Sequence, residues 1–339
     1  MRISRGRECG RDATELADEL AAIISIPDME PLAVPVRWET TTRPVVDVSS
    51  GLVMTPQRRA FAGVDDDRTV QRITGQFRAI PAKRTVIIGE PGSGRTSMAR
   101  MLARGLLAAR RPGRAVPVLL PLDGWDPVTE SLPGWIVGTL AGRCYRGRRD
   151  VPQRLLESEL LLPVLDGLDA IPERIRARAV LELDRLIGTA RPVVLTCRPA
   201  DFTGLLRDGC PTLHDTPVFT LLPVVPGDLA PFPELEQLHD RLGGPVGQAL
   251  STPLFVAVAR RVPSRLGEVR DLATRLQVES RLLEAFVAEL TALAPPARRR
   301  GRNAPEPPEL AHLRVREWLA GSAPPARRRR GPPLAGLRA

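Results

Sequence analysis

The chain contains little lysine and few aromatic residues, and both shortages narrow its possible functions. Lys83 is the only lysine among 49 basic residues, so the formal charge of +10 comes almost entirely from arginine. Ala, Arg, Pro and Gly are all abundant, which is the bias that a GC-rich coding sequence produces. Because this bias alone accounts for the arginine excess, we give the charge little weight as evidence of function. Aromatic residues make up 4% of the chain, which leaves few platforms for stacking single-stranded nucleic acid bases.

Cysteine and histidine are also scarce, and neither shows the spacing of a metal site. The four cysteines, Cys9, Cys144, Cys197 and Cys210, form no C-x-x-C pair, and the three histidines are scattered. No signal-peptide pattern opens the sequence, so we expect a reducing, cytoplasmic location. No apolar run reaches the length of a membrane span, so we expect no membrane partner.

Short apolar strands alternate with amphipathic helices over residues 65–225. Such alternation predicts an α/β fold with a parallel sheet covered by helices on both faces. The predicted strands are Thr85–Ile88, Val116–Leu120, Pro163–Asp166, Pro192–Thr196 and Val218–Leu222. The predicted helices are Asp65–Ile80, Ser97–Arg110, Leu132–Arg143 and Pro172–Ile187.

Residues 1–64 precede this series, and their sequence predicts a helix followed by an irregular lead-in. The helix is expected at Asp12–Ser25, with Asp12 as its N-cap and Glu15 completing a capping box. Prolines and short β-prone pieces predict the irregular lead-in at Ile26–Val53.

The sequence pattern of residues 226–294 predicts a small helical subdomain. Residues 295–339 form a tail that is rich in proline and arginine. The subdomain helices are expected at Glu234–Leu242, Pro245–Val262 and Val278–Leu293. In the tail, Ala294–Arg300 recurs as Ala323–Arg329. Such a composition cannot bury enough apolar surface to offset chain entropy, so we expect disorder there except for a short helix at Leu310–Leu319.

One loop carries the clearest chemical signal in the sequence. The chain after the first predicted strand reads Gly89, Glu90, Pro91, Gly92, Ser93, Gly94, Arg95, Thr96, Ser97. This is the phosphate-loop pattern G-x-x-x-x-G-K-[ST] with arginine at the lysine position. In proteins with this pattern, backbone N–H groups surround the phosphates of a nucleotide, the lysine reaches the β- and γ-phosphates, and the hydroxyl binds Mg²⁺. We predict that these nine residues bind nucleotide and that Thr96 also binds Mg²⁺.

Two aspartates follow the apolar strand at residues 163–166. Asp166 ends that strand, where ligands bind in parallel sheets, so beside a phosphate loop it would hold Mg²⁺ together with Thr96. Asp169 comes one turn later and could orient an attacking water. The alternative is a strand followed by a turn with two solvated acids.

The strand at residues 192–196 also ends in polar side chains. In sheet order such a strand often neighbours the phosphate-loop strand, so Thr196 and Arg198 could sense the γ-phosphate. The alternative is that Arg198 pairs with an acid on the surface.

These three motifs, in this order, resemble the NACHT family of P-loop NTPases, which belongs to the signal-transduction (STAND) ATPases. Gly89–Gly94 has the sequence that NACHT proteins usually carry before Lys-Thr. Asp166–Asp169 matches the acidic motif of the family, and Thr196–Pro199 matches its sensor strand. Ser251–Phe255 looks like the proline motif of the helical domain, whose proline, here Pro253, lies against the adenine. The likeness covers roughly residues 65–293 and looks closest to bacterial, actinomycete-type members, which have a Pro-Val-Arg-Trp lead-in like Pro35–Trp38.

The chain departs from the family pattern at three places. Arg95 replaces the lysine, Ala170 stands where the acidic motif usually has glutamate, and the chain ends without the long sensor repeats usual in STAND proteins. A guanidinium is a wide planar fork whereas an ammonium is a compact point charge, so Arg95 should impair hydrolysis more than binding. We therefore expect an apparently truncated NACHT-type protein that binds ATP or ADP with Mg²⁺ and turns ATP over slowly or not at all.

The resemblance implies a signalling switch that acts on a protein partner or forms a homo-oligomer on activation. The first alternative is a catalytically inactive nucleotide-binding module that serves only as an interaction scaffold. The second is non-specific nucleic-acid binding through the arginine-rich tail, which the shortage of aromatic residues disfavours. The residues themselves do not distinguish ATP from GTP, and the resemblance favours ATP.

Overall fold

A computed structural model describes residues 2–24, 35–41, 44–47, 51–54, 59–64, 66–188, 191–207 and 216–293. The chain divides into two compact units, Met1–Leu282 and Leu283–Ala339, and the described part of the second unit is the end of the last helix. The predicted tail disorder and the predicted helix at Leu310–Leu319 lie outside the described residues.

A seven-stranded sheet forms the centre of the first unit, in the order β4-β1-β9-β5-β8-β7-β6. The five strands from β9 to β6 run parallel, which confirms the predicted α/β class, while β1 pairs antiparallel with both β9 and β4. Strands β2 and β3 form a separate antiparallel pair. The strands are β1 Pro35–Thr41, β2 Pro44–Asp47, β3 Gly51–Met54, β4 Arg59–Val64, β5 Arg84–Ile88, β6 Val116–Pro121, β7 Leu161–Asp166, β8 Val193–Cys197 and β9 Val218–Leu222.

Helices connect the parallel strands and continue after the sheet. Within the described ranges, no helix is long and apolar enough to cross a membrane. The α-helices are α1 Arg2–Ile24, α2 Asp67–Ala79, α3 Arg95–Ala108, α4 Leu132–Cys144, α5 Asp150–Glu157, α6 Glu173–Ile187, α7 Pro199–Arg207, α8 Pro226–Leu229, α9 Pro245–Leu250, α10 Pro253–Arg261 and α11 Arg275–Leu293. Short 3₁₀ segments lie at Leu122–Gly124, Leu168–Ala170, Pro233–Arg241 and Pro263–Val269.

Both faces of the parallel strands are buried, as their continuous apolar sequences predict. In β8, Val193 and Leu195 enter the apolar core on one face, and Val194 enters the core on the other. Met98 and Leu102 of α3 pack in the same core as Val194. Because successive strand residues point to opposite faces, this burial holds α3, and the loop before it, in a fixed position on the sheet.

The predicted irregular lead-in at Ile26–Val53 is wrong over Pro35–Thr41, which forms β1 of the central sheet, and over the antiparallel pair β2 and β3. Trp38 is fully buried, stacks on Phe61 with ring centroids 5.4 Å apart, and donates from Nε1 to Gln76 Oε1 at 2.9 Å. The prolines at either end of the segment suggested a loop. The aromatic and β-branched residues between them have the alternation of a strand, and burial of every second side chain outweighs the proline signal.

The predicted start of the first helix is also wrong, because α1 begins at Arg2 rather than after Asp12. Asp12 is therefore not an N-cap. Its carboxylate instead accepts a hydrogen bond from Arg154 Nη2 of α5 at 2.9 Å. The helix passes through Gly6 and Gly10, which lower helix propensity by only about 1 kcal/mol each.

The predicted helix Pro245–Val262 is two helices, α9 and α10, separated at Ser251–Thr252. Pro253 cannot donate the backbone hydrogen bond that a continuous helix requires, so it begins α10 as the first helical residue. The predicted helix Glu234–Leu242 is a 3₁₀ segment at Pro233–Arg241, and the last helix begins three residues early, at Arg275. Helices α5, α7 and α8 were not predicted.

Candidate functional site

The glycine-rich loop lies between the end of β5 and the first turn of α3, at the edge of the sheet where the parallel strands end. Gly94 is the N-cap of α3 and has φ of 93°, while Gly92 has φ of 77°. Both are left-handed conformations that favour glycine. Because Gly94 has no side chain to cap the helix, the first N–H groups of α3 are left for another acceptor, and such a helix terminus suits an anion.

The loop is closed tightly on itself. The backbone N–H of Ser93 donates to the Glu90 carbonyl at 3.0 Å, and a Cβ placed on Gly89 would come within 2.3 Å of Ser93 Oγ. Ser93 Oγ is buried and has no hydrogen-bond partner among the described residues. A buried hydroxyl without a partner is costly, so this atom favours a polar ligand inside the loop.

The two predicted Mg²⁺ ligands are in direct contact. Thr96 Oγ1 donates to Asp166 Oδ2 at 2.8 Å. Thr196 Oγ1, from the neighbouring strand β8, donates to Asp166 Oδ1 at 2.6 Å and accepts from the Gly167 N–H at 2.8 Å. The structure therefore brings together the polar ends of three elements, α3, β7 and β8, around one carboxylate.

Arg95, Asp169 and Arg198 form a second cluster beside the first. The guanidinium of Arg95 binds the Asp169 carboxylate in a bidentate manner, with Nη1 to Oδ1 at 2.6 Å and Nη2 to Oδ2 at 3.0 Å. Arg198 Nε donates to the same Oδ2 at 2.9 Å. The side chains of Arg95 and Asp169 are 14% and 10% exposed, against 41% for Arg198, so the first pair is the more shielded from solvent.

This cluster fixes the charge state of Asp169. Burial would raise the pKa of its carboxyl, but the hydrogen bond and positive charge of Arg95 and the hydrogen bond of Arg198 outweigh burial and hold the pKa below its usual value of 3.8. Asp169 is therefore ionised at neutral pH, with both oxygens already accepting hydrogen bonds.

The predicted proline motif lies against the glycine-rich loop. Pro253 is buried at the start of α10, and the next backbone N–H, of Leu254, donates to the Gly92 carbonyl at 3.2 Å. The methyl group of Thr252 is close enough to Gly92 that a Cβ there would come within 2.7 Å of it. The structure thus brings Pro253 to the loop, and its contact with adenine stays a prediction.

Besides the Arg95–Asp169 pair, two contacts at the site were not predicted from the sequence. Thr196 was expected to sense phosphate, yet its hydroxyl bonds Asp166, and Arg275 Nη2 donates to Thr252 Oγ1 at 3.4 Å. A threonine at the end of a strand beside the acidic strand was a usable signal for the first contact. Nothing in the local sequence indicated the second, because Arg275 is 23 residues from Thr252 in the chain.

The described residues show no group of three or more His, Cys, Asp or Glu side chains that could hold a metal ion. The candidate Mg²⁺ ligands are one hydroxyl and one carboxylate, which fits an ion that takes its remaining ligands from phosphate and water. Cys197, next to Thr196, is fully buried, and burial raises the pKa of its thiol. A thiol of this kind is unreactive.

The chain matches no protein family and no curated protein, and it is similar to solved structures. Among solved structures, it is similar to the ORC1 protein of Aeropyrum pernix in complex with DNA, with 16% identity, a TM-score of 0.38, and coverage of 68% of this chain and 69% of the other. At that identity and score the likeness carries no argument about function.

Proposed function

We propose that the chain binds an adenine nucleotide with Mg²⁺ at Gly89–Thr96 and acts as a nucleotide-dependent switch with weak or no hydrolysis. The observation that carries the proposal is the hydrogen bond from Thr96 Oγ1 to Asp166 Oδ2 at 2.8 Å. It joins the hydroxyl after the glycine loop to the carboxylate at the end of β7. In phosphate-loop proteins the two corresponding side chains hold Mg²⁺.

The loop also fits a polyphosphate. The first turn of α3 has no side-chain cap, because its N-cap is Gly94, and the buried Ser93 hydroxyl has no partner among the described residues. Both features offer hydrogen bonds to phosphate oxygens. Bound Mg²⁺ would neutralise phosphate charge, and Thr96 and Asp166 are the residues that would hold it.

The proposed weakness in hydrolysis follows from three side chains. Both oxygens of Asp169 accept from arginines, so this carboxylate is poorly placed to accept a proton from water. Ala170 supplies no carboxylate, and Arg95 is held on Asp169. Loss of one correctly placed group typically lowers the rate by about 10²–10³.

The proposed switch depends on the contact between the loop and the helices after the sheet. Leu254 of α10 donates to the Gly92 carbonyl, so phosphate bound in the loop would act directly on this contact. A change at α10 would then signal to a protein partner or a second copy of the chain, as the NACHT resemblance implies.

The second candidate is a nucleotide-binding scaffold without catalysis, which the full engagement of Asp169 favours. Steady-state ATP hydrolysis by the Arg95→Lys and Ala170→Glu variants, alone and combined, distinguishes the two. Slow turnover in the unaltered chain supports a switch with weak hydrolysis, whereas turnover gained only on repair supports the scaffold. Strong turnover that Arg95→Lys does not raise would show that the proposed defect does not exist.

Nucleotide binding is tested first on the purified protein. We expect mass analysis after denaturation to release ADP or ATP, and millimolar Mg-ATP to raise the melting temperature because a ligand of the folded state stabilises it. The same two measurements on Thr96→Val should give less nucleotide and a smaller shift. A protein that carries no nucleotide and melts at the same temperature with and without Mg-ATP would refute the proposal.

A further inference from the structure

We propose that Asp169 competes with nucleotide phosphate for Arg95, so that binding requires Arg95 to leave this carboxylate, and that Arg198 limits the competition. The inference rests on the proposed nucleotide site and adds a form of regulation to it. The carboxylate acts as an internal substitute for phosphate when the loop holds no ligand.

Arg95 and Asp169 form a two-pronged ion pair at the glycine-rich loop. Arg95 occupies the position in the loop whose side chain reaches the β- and γ-phosphates, yet both of its terminal nitrogens bind Asp169 at 2.6 and 3.0 Å. A guanidinium binds carboxylate and phosphate through the same planar fork. An incoming phosphate therefore has to displace Asp169 from that fork.

The Arg95–Asp169 pair is shielded enough from solvent to be strong. Both side chains are largely shielded from solvent, at 14% and 10% exposure, so water screens their attraction less than it screens a surface pair. While Arg95 and Asp169 are paired, the carboxylate also places a negative charge beside the loop. Loss of the arginine fork and repulsion by this charge both weaken phosphate binding.

Arg198 shares the Asp169 carboxylate with Arg95. Its Nε donates to Asp169 Oδ2 at 2.9 Å, the oxygen that Arg95 Nη2 also binds. The two arginines share one acceptor and repel each other, so Arg198 loosens Arg95. After Arg95 leaves, Arg198 remains as the counter-ion of Asp169, which avoids the high cost of an unpaired, shielded charge. Arg198 is thus a positioning residue that acts through Asp169.

The test is a calorimetric titration of the full chain with Mg-ADP. We expect Asp169→Asn to bind Mg-ADP about tenfold more tightly, the change that corresponds to losing one competing charge-assisted contact. We expect Arg198→Gln to bind it about threefold more weakly, a smaller change because only one shared hydrogen bond is removed. ADP is the probe because it has no γ-phosphate, so a direct contact of Arg198 with that group cannot produce the effect.

The double variant Asp169→Asn with Arg198→Gln separates positioning from a general structural role. If Arg198 acts through Asp169, the double variant binds Mg-ADP as tightly as Asp169→Asn alone, whereas two independent effects would add. Asp201→Asn is the matched control, because Asp201 on α7 forms an ion pair with Arg176. It should leave ADP affinity unchanged.

Asp169→Ser serves as a second variant in case Asp169→Asn does not fold. A thermal melt of each variant identifies the ones that fold. ADP affinity that is equal in the unaltered chain, Asp169→Asn and Asp169→Ser would overturn the competition while leaving the nucleotide site intact. Additive effects in the double variant would overturn the role of Arg198. If no folded variant binds Mg-ADP, the proposed nucleotide site fails, and this inference fails with it.

Discussion

Gly94 combines a conformational requirement with a position at the proposed phosphate site. Its φ is 93°, and a Cβ there would meet no atom within 4 Å, so replacement by alanine strains the backbone without a steric clash. We expect Gly94→Ala to lower the free energy of unfolding by about 1–2 kcal/mol and to weaken nucleotide binding, as measured by denaturant unfolding and calorimetry. Gly113→Ala is the control, since Gly113 has φ of 77° and equally open surroundings. It should lose similar stability and keep its affinity for nucleotide.

Thr96 tests the proposed metal ligands with a single hydroxyl. Thr96→Val keeps the shape of the side chain and removes the group that bonds Asp166. We expect Mg²⁺ to stop enhancing ADP binding in this variant, which titrations with Mg²⁺ and with EDTA would measure. Thr129→Val removes a hydroxyl that bonds the Asp126 carbonyl and should behave like the unaltered chain. An unchanged Mg²⁺ effect in Thr96→Val would exclude Thr96 as a ligand.

The lowered pKa of Asp169 predicts how stability depends on pH. A carboxyl whose pKa is lower in the folded chain stabilises the fold fully above its unfolded value of about 3.8 and loses that effect as pH falls through the folded value. At pH 7 we expect Asp169→Asn to melt about 5 °C lower than the unaltered chain. The difference should shrink below pH 4. A difference that stays constant between pH 7 and pH 3 would show that the ion pair is not its source.

At the scale of elements, strand β1 ties the N-terminal region to the parallel strands that carry the glycine-rich loop. Trp38 is fully buried on β1 and bonds Gln76 of α2, so Trp38→Ala should lower the free energy of unfolding by about 3–5 kcal/mol in a denaturant titration. Trp38→Phe keeps most of the apolar contact and should lose less. A loss below about 1 kcal/mol for the alanine variant would show that β1 does not belong to the folded core.

The parallel strands could be predicted from the sequence because each is a short apolar run followed by a helix, a pattern with few alternatives. The contact between Thr96 and Asp166 followed from the same pattern, since the carboxyl ends of parallel strands meet at one edge. Strand β1 was missed because β9, one of its two partners, is far along the chain and because its prolines resembled a loop. The Arg95–Asp169 pair was missed because it depends on side-chain geometry, and a motif specifies residue types only.

At the scale of the whole molecule, the loop occupies the middle of the sheet, with β5 between β9 and β8. Several elements therefore contribute to the site, since Asp166 ends β7, Arg198 follows β8, and Thr252 and Leu254 precede or begin α10. A ligand that changes the loop would affect the sheet edge and α10 together. This arrangement is the physical basis for proposing a switch rather than a simple binding site.

The most direct test of the account is a calorimetric titration of the full chain with Mg-ATP up to millimolar concentration, repeated with ATP in EDTA. We predict saturable binding of one nucleotide per chain that is weaker without Mg²⁺, because Thr96 and Asp166 would then have no ion to hold. Absence of binding at millimolar Mg-ATP, in both the unaltered chain and Asp169→Asn, would contradict the account.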